Sequence, residues 1–129
     1  MSPDEKKPTI LIVEDDPFIL EASTEKLSRE GFTILQAKDG VQGLDMSMNQ
    51  KPDLILLDIL MPNMDGLEML NRLRQDESGK NAHVIIITNL IKDESEREAR
   101  RLGVDDYIIK ANWSLGELTR KVKSVLGVE

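Results

Sequence analysis

The chain contains no cysteine and only one histidine among its 129 residues. Without thiols it can form neither disulfide bridges nor thiolate metal sites, and one imidazole is too few for a histidine-ligated metal cluster. Aromatic residues make up only 3% of the composition, which argues against a surface that stacks nucleic-acid bases. The net charge of −7 argues further against direct binding of nucleic acid or of an anionic membrane.

Long apolar runs are also missing. None approaches the ~18 residues of a membrane span, and nothing near the N-terminus resembles a signal peptide, so we expect a cytoplasmic protein. The length suits one domain with a single core. Residues 1–8 are polar, contain two prolines and are expected to be flexible. We predict a domain over 9–126, with 127–129 as its C-terminal end.

What the chain does contain is an alternation of two patterns. Apolar runs of strand length occur at 9–13, 32–37, 53–57, 83–88 and 106–110, and each is followed by a segment of helical periodicity. This order predicts a doubly wound α/β fold with five parallel strands and five helices in three layers, αβα. Asp16 and Ser114 are predicted N-caps. In the second helix, the spacing of Val41, Leu44 and Met48 predicts the inward face.

The stretch from Asp53 to Gly66 organises the rest of the chain. Its apolar run ends at a carboxylate, Asp58, and turn-forming residues such as Pro62 and Asn63 follow directly. The carboxyl ends of parallel strands meet at one edge of the sheet, which is where open α/β sheets bind their ligands. We therefore expect Asp58 to lie in a functional site.

Four of the five predicted strands end in polar side chains, namely Glu14 and Asp15, Asp58, Thr88, and Lys110. Each has an ordinary explanation by itself, such as a charge at a helix N-terminus or a solvated lysine. Together they predict a cluster at one sheet edge, where carboxylates raise one another's pKa until a cation relieves them. Mg²⁺ binds carboxylates and phosphate oxygens, and a carboxylate nucleophile can form an aspartyl phosphate.

These residues resemble the receiver domain of bacterial two-component response regulators, in its chemotaxis-type single-domain form. The resemblance extends over residues 9–126. It is carried by Glu14-Asp15, Asp58, Met61-Pro62, Asp65-Gly66, Thr88, Tyr107 and Lys110. It implies a flavodoxin-like sheet with strand order 2-1-3-4-5.

The resemblance also implies a reaction and a cofactor. Asp58 would accept a phosphoryl group from a sensor histidine kinase or a phosphotransfer protein. Mg²⁺ would be held by Asp15, Asp58 and the backbone carbonyl of Leu60, with Glu14 acting through a metal-bound water.

By the same resemblance, Lys110 and the Thr88 hydroxyl would contact the phosphoryl group, and Tyr107 would move with Thr88 as the switch. Two positions depart from the family pattern. Asn89 stands where a small residue is common, and Ala111 stands where a proline is common, often after a cis bond. Because a cis bond to a residue other than proline costs about 2.5–4 kcal/mol, we predict a trans Lys110–Ala111 bond.

The function expected from these features is a phosphoacceptor switch that acts through a separate output protein. Its partner surface would be formed by helix four, strand five and helix five, and would also serve a phosphorylation-dependent homodimer. One alternative is a Mg²⁺-dependent phosphatase or phosphotransferase acting on a small molecule. Such enzymes usually have a second Asp two residues after the nucleophile, where this chain has Leu60. The other alternative is a docking module that works without phosphorylation.

We do not expect an enzyme beyond self-phosphorylation and slow self-dephosphorylation. Hydrolysis of an aspartyl phosphate needs a polar group that orients the attacking water. The two positions best placed for this are Leu60 and Leu90, neither of which has a polar side chain. The sequence therefore predicts a long-lived phosphorylated state.

Overall fold

A computed structural model of the chain describes residues 7–128. The predicted alternation of five strands and five α-helices is confirmed. The strands are β1 (Thr9–Val13), β2 (Thr33–Ala37), β3 (Leu54–Leu57), β4 (Val84–Thr88) and β5 (Asp106–Ile109). The helices are α1 (Pro17–Arg29), α2 (Gly40–Gln50), α3 (Gly66–Gln75), α4 (Asp93–Arg101) and α5 (Leu115–Leu126), and a short 3₁₀ turn occupies Lys110–Asn112. Most of the predicted flexible segment, and Glu129, lie outside the described residues.

The five strands form one parallel sheet in the order β2-β1-β3-β4-β5, which confirms the predicted topology. Val13, the last residue of β1, pairs with Ala37 and Leu57, and Leu57 in turn pairs with Ile86 of β4. All residues of β3 and β4 are buried, as expected of central strands covered on both faces. The register therefore brings the ends of β1 and β3 level with each other.

Side chains alternate between two cores along each strand. In β1, Leu11 and Val13 pack into a cluster with residues of α2, α3 and α4. Ile10 and Ile12 pack on the opposite face with residues of α1 and α5. This alternation is the period of two expected for a strand, and it produces the three predicted layers.

The predicted inward face of α2 is wrong at Val41, whose side chain is 52% exposed. Leu44 and Met48 pack against the core as predicted, and the buried residues of the helix include Gly40 and Gly43. Their lack of a side chain lets the helix approach closely, since a Cβ on Gly40 would lie 2.1 Å from the backbone oxygen of Met64. Apolar periodicity could not reveal the two buried glycines, because glycine carries no hydrophobic signal.

The helix ends beside the carboxyl edge of the sheet are capped as predicted. Asp16 Oδ1 accepts the N–H of Phe18 at 2.9 Å, and Ser114 Oγ accepts the N–H of Glu117 at 3.2 Å. The described residues contain no cis peptide bond, which confirms the trans bond predicted after Lys110. Among the same residues, no helix combines the length and apolar character needed to cross a bilayer.

Candidate functional site

Two buried carboxylates and a largely covered ammonium meet at the carboxyl edge of the sheet. Glu14 follows β1, Asp58 follows β3, and Lys110 follows β5, so the Lys110 side chain crosses the end of β4 to reach the two acids. Its Nζ atom lies 2.7 Å from Glu14 Oε1 and 2.7 Å from Asp58 Oδ2. The acid side chains are each 5% exposed and that of Lys110 is 10% exposed. Because little water screens these charges, the attraction of each acid to Lys110 and the repulsion between the two acids are both strong.

Burial has opposite effects on the acid and the base of this cluster. Burial raises the pKa of the Glu14 carboxyl above its ordinary 4.5, and the charge of Asp58 adds to the increase. Hydrogen bonds from Lys110 and from the Asp16 N–H lower this pKa but do not outweigh burial. Burial alone would lower the pKa of Lys110, but hydrogen bonds to Asp58 and Glu14 outweigh it and raise this pKa above 10.5. Lys110 is therefore a permanent cation of the site at neutral pH.

A third carboxylate completes an arrangement that fits a divalent cation. Asp15 is exposed, and one carboxylate oxygen from each of Glu14, Asp15 and Asp58 lies within 4.8 Å of the others. Three carboxylates against one ammonium leave an excess of two negative charges. Such an excess on hard oxygen ligands suits Mg²⁺. The backbone N–H of Leu60 donates to Asp58 Oδ1 at 3.1 Å, whereas its carbonyl stays a predicted ligand.

The two predicted switch residues are both hydrogen-bonded to Leu90. The fully buried Thr88 accepts the Leu90 N–H on its Oγ1 at 3.2 Å. The Tyr107 hydroxyl donates to the Leu90 carbonyl at 2.8 Å. Burial, and then the charges of Glu96 and Asp58, raise the pKa of Tyr107, so its phenol stays protonated and able to donate. Sequence analysis missed this link, because no local pattern connects Leu90 with a residue seventeen positions later.

The loop that carries Leu60 is held by contacts that sequence analysis also missed. Asn63 has a positive φ of 68°, and its Nδ2 donates to Asp39 Oδ2 at 2.9 Å, at the start of α2. At the end of the loop, a Cβ on Gly66 would lie 2.2 Å from the backbone oxygen of Asp58. The only local signal was the Pro62-Asn63 turn, since asparagine tolerates the left-handed conformation. These contacts keep the backbone next to Asp58 in one position.

The raised pKa of Glu14 predicts how the stability of the chain depends on pH. The folded state binds this proton more tightly than the unfolded state, so ionised Glu14 destabilises the fold above about pH 4.5 and not below it. Without added metal, we expect Glu14→Gln to raise the melting temperature at pH 7 by about 3 °C or more. The gain should shrink as the pH falls through 4.5. The exposed Glu21→Gln is the control, and a lower melting temperature for Glu14→Gln at pH 7 would contradict the electrostatic account.

Comparison with known proteins agrees with this geometry. The family model "Response regulator receiver domain" matches residues 10–123. The DNA-binding dual master transcriptional regulator RpaA of Synechocystis is 34% identical over 119 residues, which are 92% of this chain and 49% of that protein. The chain thus spans about half the length of the curated relatives that it matches.

Solved structures extend the likeness to the whole fold. A CheY-like response regulator receiver domain protein from Methanospirillum hungatei has a TM-score of 0.88 at 30% identity, with 95% of each chain covered. The receiver domain of sensor histidine kinase PA1611 from Pseudomonas aeruginosa, with a magnesium ion coordinated in its active-site cleft, has a TM-score of 0.84 at 26% identity. Coverage there is 95% of this chain and 99% of the other. The chain belongs to the receiver domain family of two-component response regulators, whose members are generally signalling switches and not enzymes.

Proposed function

We propose that this chain is the phosphoacceptor switch of a two-component phosphorelay, and that Asp58 receives the phosphoryl group. The donor would be a phosphohistidine on a sensor histidine kinase or on a phosphotransfer protein. The observation that supports this most is the position of the Asp58 carboxylate. It lies at the end of the central strand β3, 5% exposed, with Lys110 Nζ 2.7 Å from its Oδ2. The exchange would take place in the cytoplasm, as expected from the sequence.

The proposed reaction is a direct transfer. One oxygen of the Asp58 carboxylate forms an O–P bond while the P–N bond to the donor histidine breaks, and the imidazole leaves with the bonding electrons. Lys110 already lies beside Asp58 and Glu14, so its ammonium is placed to pair with an oxygen of the incoming group. The fixed loop after Asp58 would keep the nucleophile oriented during the transfer.

Magnesium is part of this proposal. Asp15, Asp58 and the backbone carbonyl of Leu60 would hold the ion, with Glu14 as the buried acid behind them. When bound, Mg²⁺ would reduce the charge repulsion between the acids and the phosphoryl group. The excess of carboxylates over ammonium groups in the cluster supports this assignment.

The switch would act through Leu90. If the Thr88 hydroxyl turns to bind a phosphoryl oxygen, its hydrogen bond with the Leu90 N–H is lost. Leu90 is then free to shift, and its carbonyl is the acceptor that holds the Tyr107 hydroxyl. A local charge event at Asp58 would in this way change the segment that leads into α4.

The partner surface proposed here consists of α4, β5 and α5. Asp106 of β5 ties the three elements together, because its carboxylate lies 2.7 Å from Lys121 Nζ of α5 and 3.9 Å from Arg100 of α4. Receiver domains interact with histidine kinases and output domains, and we propose a separate output protein or a second copy of the chain as the occupant. Sedimentation velocity with and without phosphorylation tests the homodimer, and an unchanged monomer in both states removes it.

Direct contact with nucleic acid is not part of the proposal. RpaA is named as a DNA-binding regulator, but the matched region covers only 49% of it. The net charge of −7 supports an indirect role for this chain.

Phosphorylation by acetyl phosphate tests the function without a kinase. With Mg²⁺, we expect the intact mass to increase by one phosphoryl group, and Asp58→Asn to abolish the increase. Asp53→Asn is a matched control, because Asp53 lies at the opposite end of β3 and accepts the Thr9 N–H at 2.7 Å. It should be phosphorylated as fully as the wild type. An unmodified wild-type chain, or equal modification of Asp58→Asn, would refute the proposal.

The phosphorylated state is expected to be long-lived, because Leu60 and Leu90 present no polar group to an attacking water. After removal of the donor, Leu60→Gln should accelerate loss of the phosphoryl group about tenfold, which corresponds to about 1.4 kcal/mol of barrier. Val41→Gln is the control, since Val41 and Leu60 are equally exposed at 52% and Val41 lies on α2. Rapid loss in the wild type, or no acceleration in Leu60→Gln, would count against this explanation.

A further inference from the structure

The guanidinium of Arg74 is hydrogen-bonded to four backbone carbonyls. Nε donates to the carbonyl of Leu102 at 2.7 Å, and Nη2 donates to that of Gly103 at 3.2 Å. Nη1 donates to the carbonyls of Gly79 at 2.9 Å and Ala82 at 2.8 Å. The side chain thus joins the last turn of α3 both to the end of α4 and to the segment that precedes β4.

Two of these carbonyls belong to the C-terminal end of α4, where no further helical turn supplies donors. Gly103 has a φ of 77°, the left-handed conformation that ends many helices, and its N–H donates to the Arg100 carbonyl at 3.0 Å. A positive charge at this end is also favoured by the helix dipole. Arg74 therefore stabilises the end of α4 in a fixed position relative to α3.

The N-terminal end of α4 has no comparable attachment among the described residues. Its N-cap residue, Lys92, makes no side-chain hydrogen bond to the first turn. Ile91, immediately before it, is 75% exposed. Within the helix, Ala99 is the buried residue, and it lies in the C-terminal half. Packing and hydrogen bonding are thus concentrated at the end of α4 that Arg74 holds.

We propose that Arg74 is a positioning residue that fixes the C-terminal end of α4, so that phosphorylation displaces only the N-terminal end of this helix. The second half of this inference rests on the proposed function. The displacement would enter through Leu90, which contacts Thr88 and Tyr107 and lies just before the helix. The helix would then turn about its anchored end, because two hydrogen bonds from Arg74 hold the carbonyls there, and the other two fix Arg74 itself to the segment before β4.

Amide hydrogen exchange of the whole chain tests this, measured before and after treatment with acetyl phosphate and Mg²⁺. The intact mass of each sample records whether Asp58 carries the phosphoryl group. In the wild type, we expect phosphorylation to change exchange in residues 89–97 and to leave residues 102–104 unchanged. Changes of equal size in both segments would overturn the inference. This comparison uses only the wild-type chain, so it does not depend on how any variant folds.

Arg74→Lys keeps the positive charge, but a single ammonium cannot bind carbonyls on both sides of the side chain. Before phosphorylation, the amides of residues 102–104 should exchange about tenfold faster in this variant. These amides donate to carbonyls within the last turns of α4, so their exchange reports opening of that end. In this variant, phosphorylation should change amide exchange at residues 102–104 in addition to residues 89–97.

Arg72→Lys is the matched control, because Arg72 lies on the same helix but is exposed and, within residues 7–128, pairs only with Glu68, at 3.0 Å. It should exchange like the wild type throughout. If residues 102–104 of Arg74→Lys exchange at the same rate as those of the wild type, the anchoring role is refuted. If the chain takes up no phosphoryl group, the proposed function and the displacement of α4 are both refuted. The untreated samples would still decide whether Arg74 anchors the helix.

Discussion

The structure depends on one ammonium that two buried carboxylates share. Lys110 Nζ lies 2.7 Å from both Glu14 Oε1 and Asp58 Oδ2, at a depth where removal of the lysine would leave two carboxylates without a partner. The ends of three strands must therefore stay in register for any of the three charges to be tolerated. Asp15 adds a carboxylate on the exposed side, so the cluster remains short of positive charge. The chemistry of the cluster therefore suits a second cation from solution.

The parallel sheet makes this arrangement possible, and the loops around it connect the site to the surface. Pairing of β1 with β3 sets Glu14 beside Asp58, and the Asn63–Asp39 hydrogen bond holds the loop that follows. On the other side, Leu90 joins Thr88 to the segment before α4. Hydrogen bonds thus hold the loop beside the proposed phosphoacceptor and link the site to the segment before α4. This arrangement supports the proposed switch, because a local change at Asp58 has a hydrogen-bonded connection to α4.

Much of the fold could be predicted from the sequence, because the strands are apolar runs of strand length, and four of them are followed by polar residues. Because the carboxyl ends of parallel strands meet at one edge, the sequence also predicted that Glu14, Asp58 and Lys110 lie together. Their individual roles were expected only from the family resemblance. In α2, the prediction was right for Leu44 and Met48 and wrong for Val41, because buried glycines take part in its packing. The contacts of Arg74 could not be predicted from the sequence. Its acceptors at the end of α4 lie 28 and 29 residues away, and they are backbone carbonyls, which every residue has.

The central claim is that the acid cluster at the sheet edge has a built-in affinity for a divalent cation, and calorimetric titration with Mg²⁺ tests it most directly. We predict one ion per chain, with Asp15→Asn weakening the affinity by about tenfold or more, because it removes one of the three carboxylates. Asp16→Asn is the matched control, since Asp16 caps α1 and asparagine caps equally well. Its affinity should equal that of the wild type. Undiminished affinity in Asp15→Asn, or no binding by the wild type, would contradict the account.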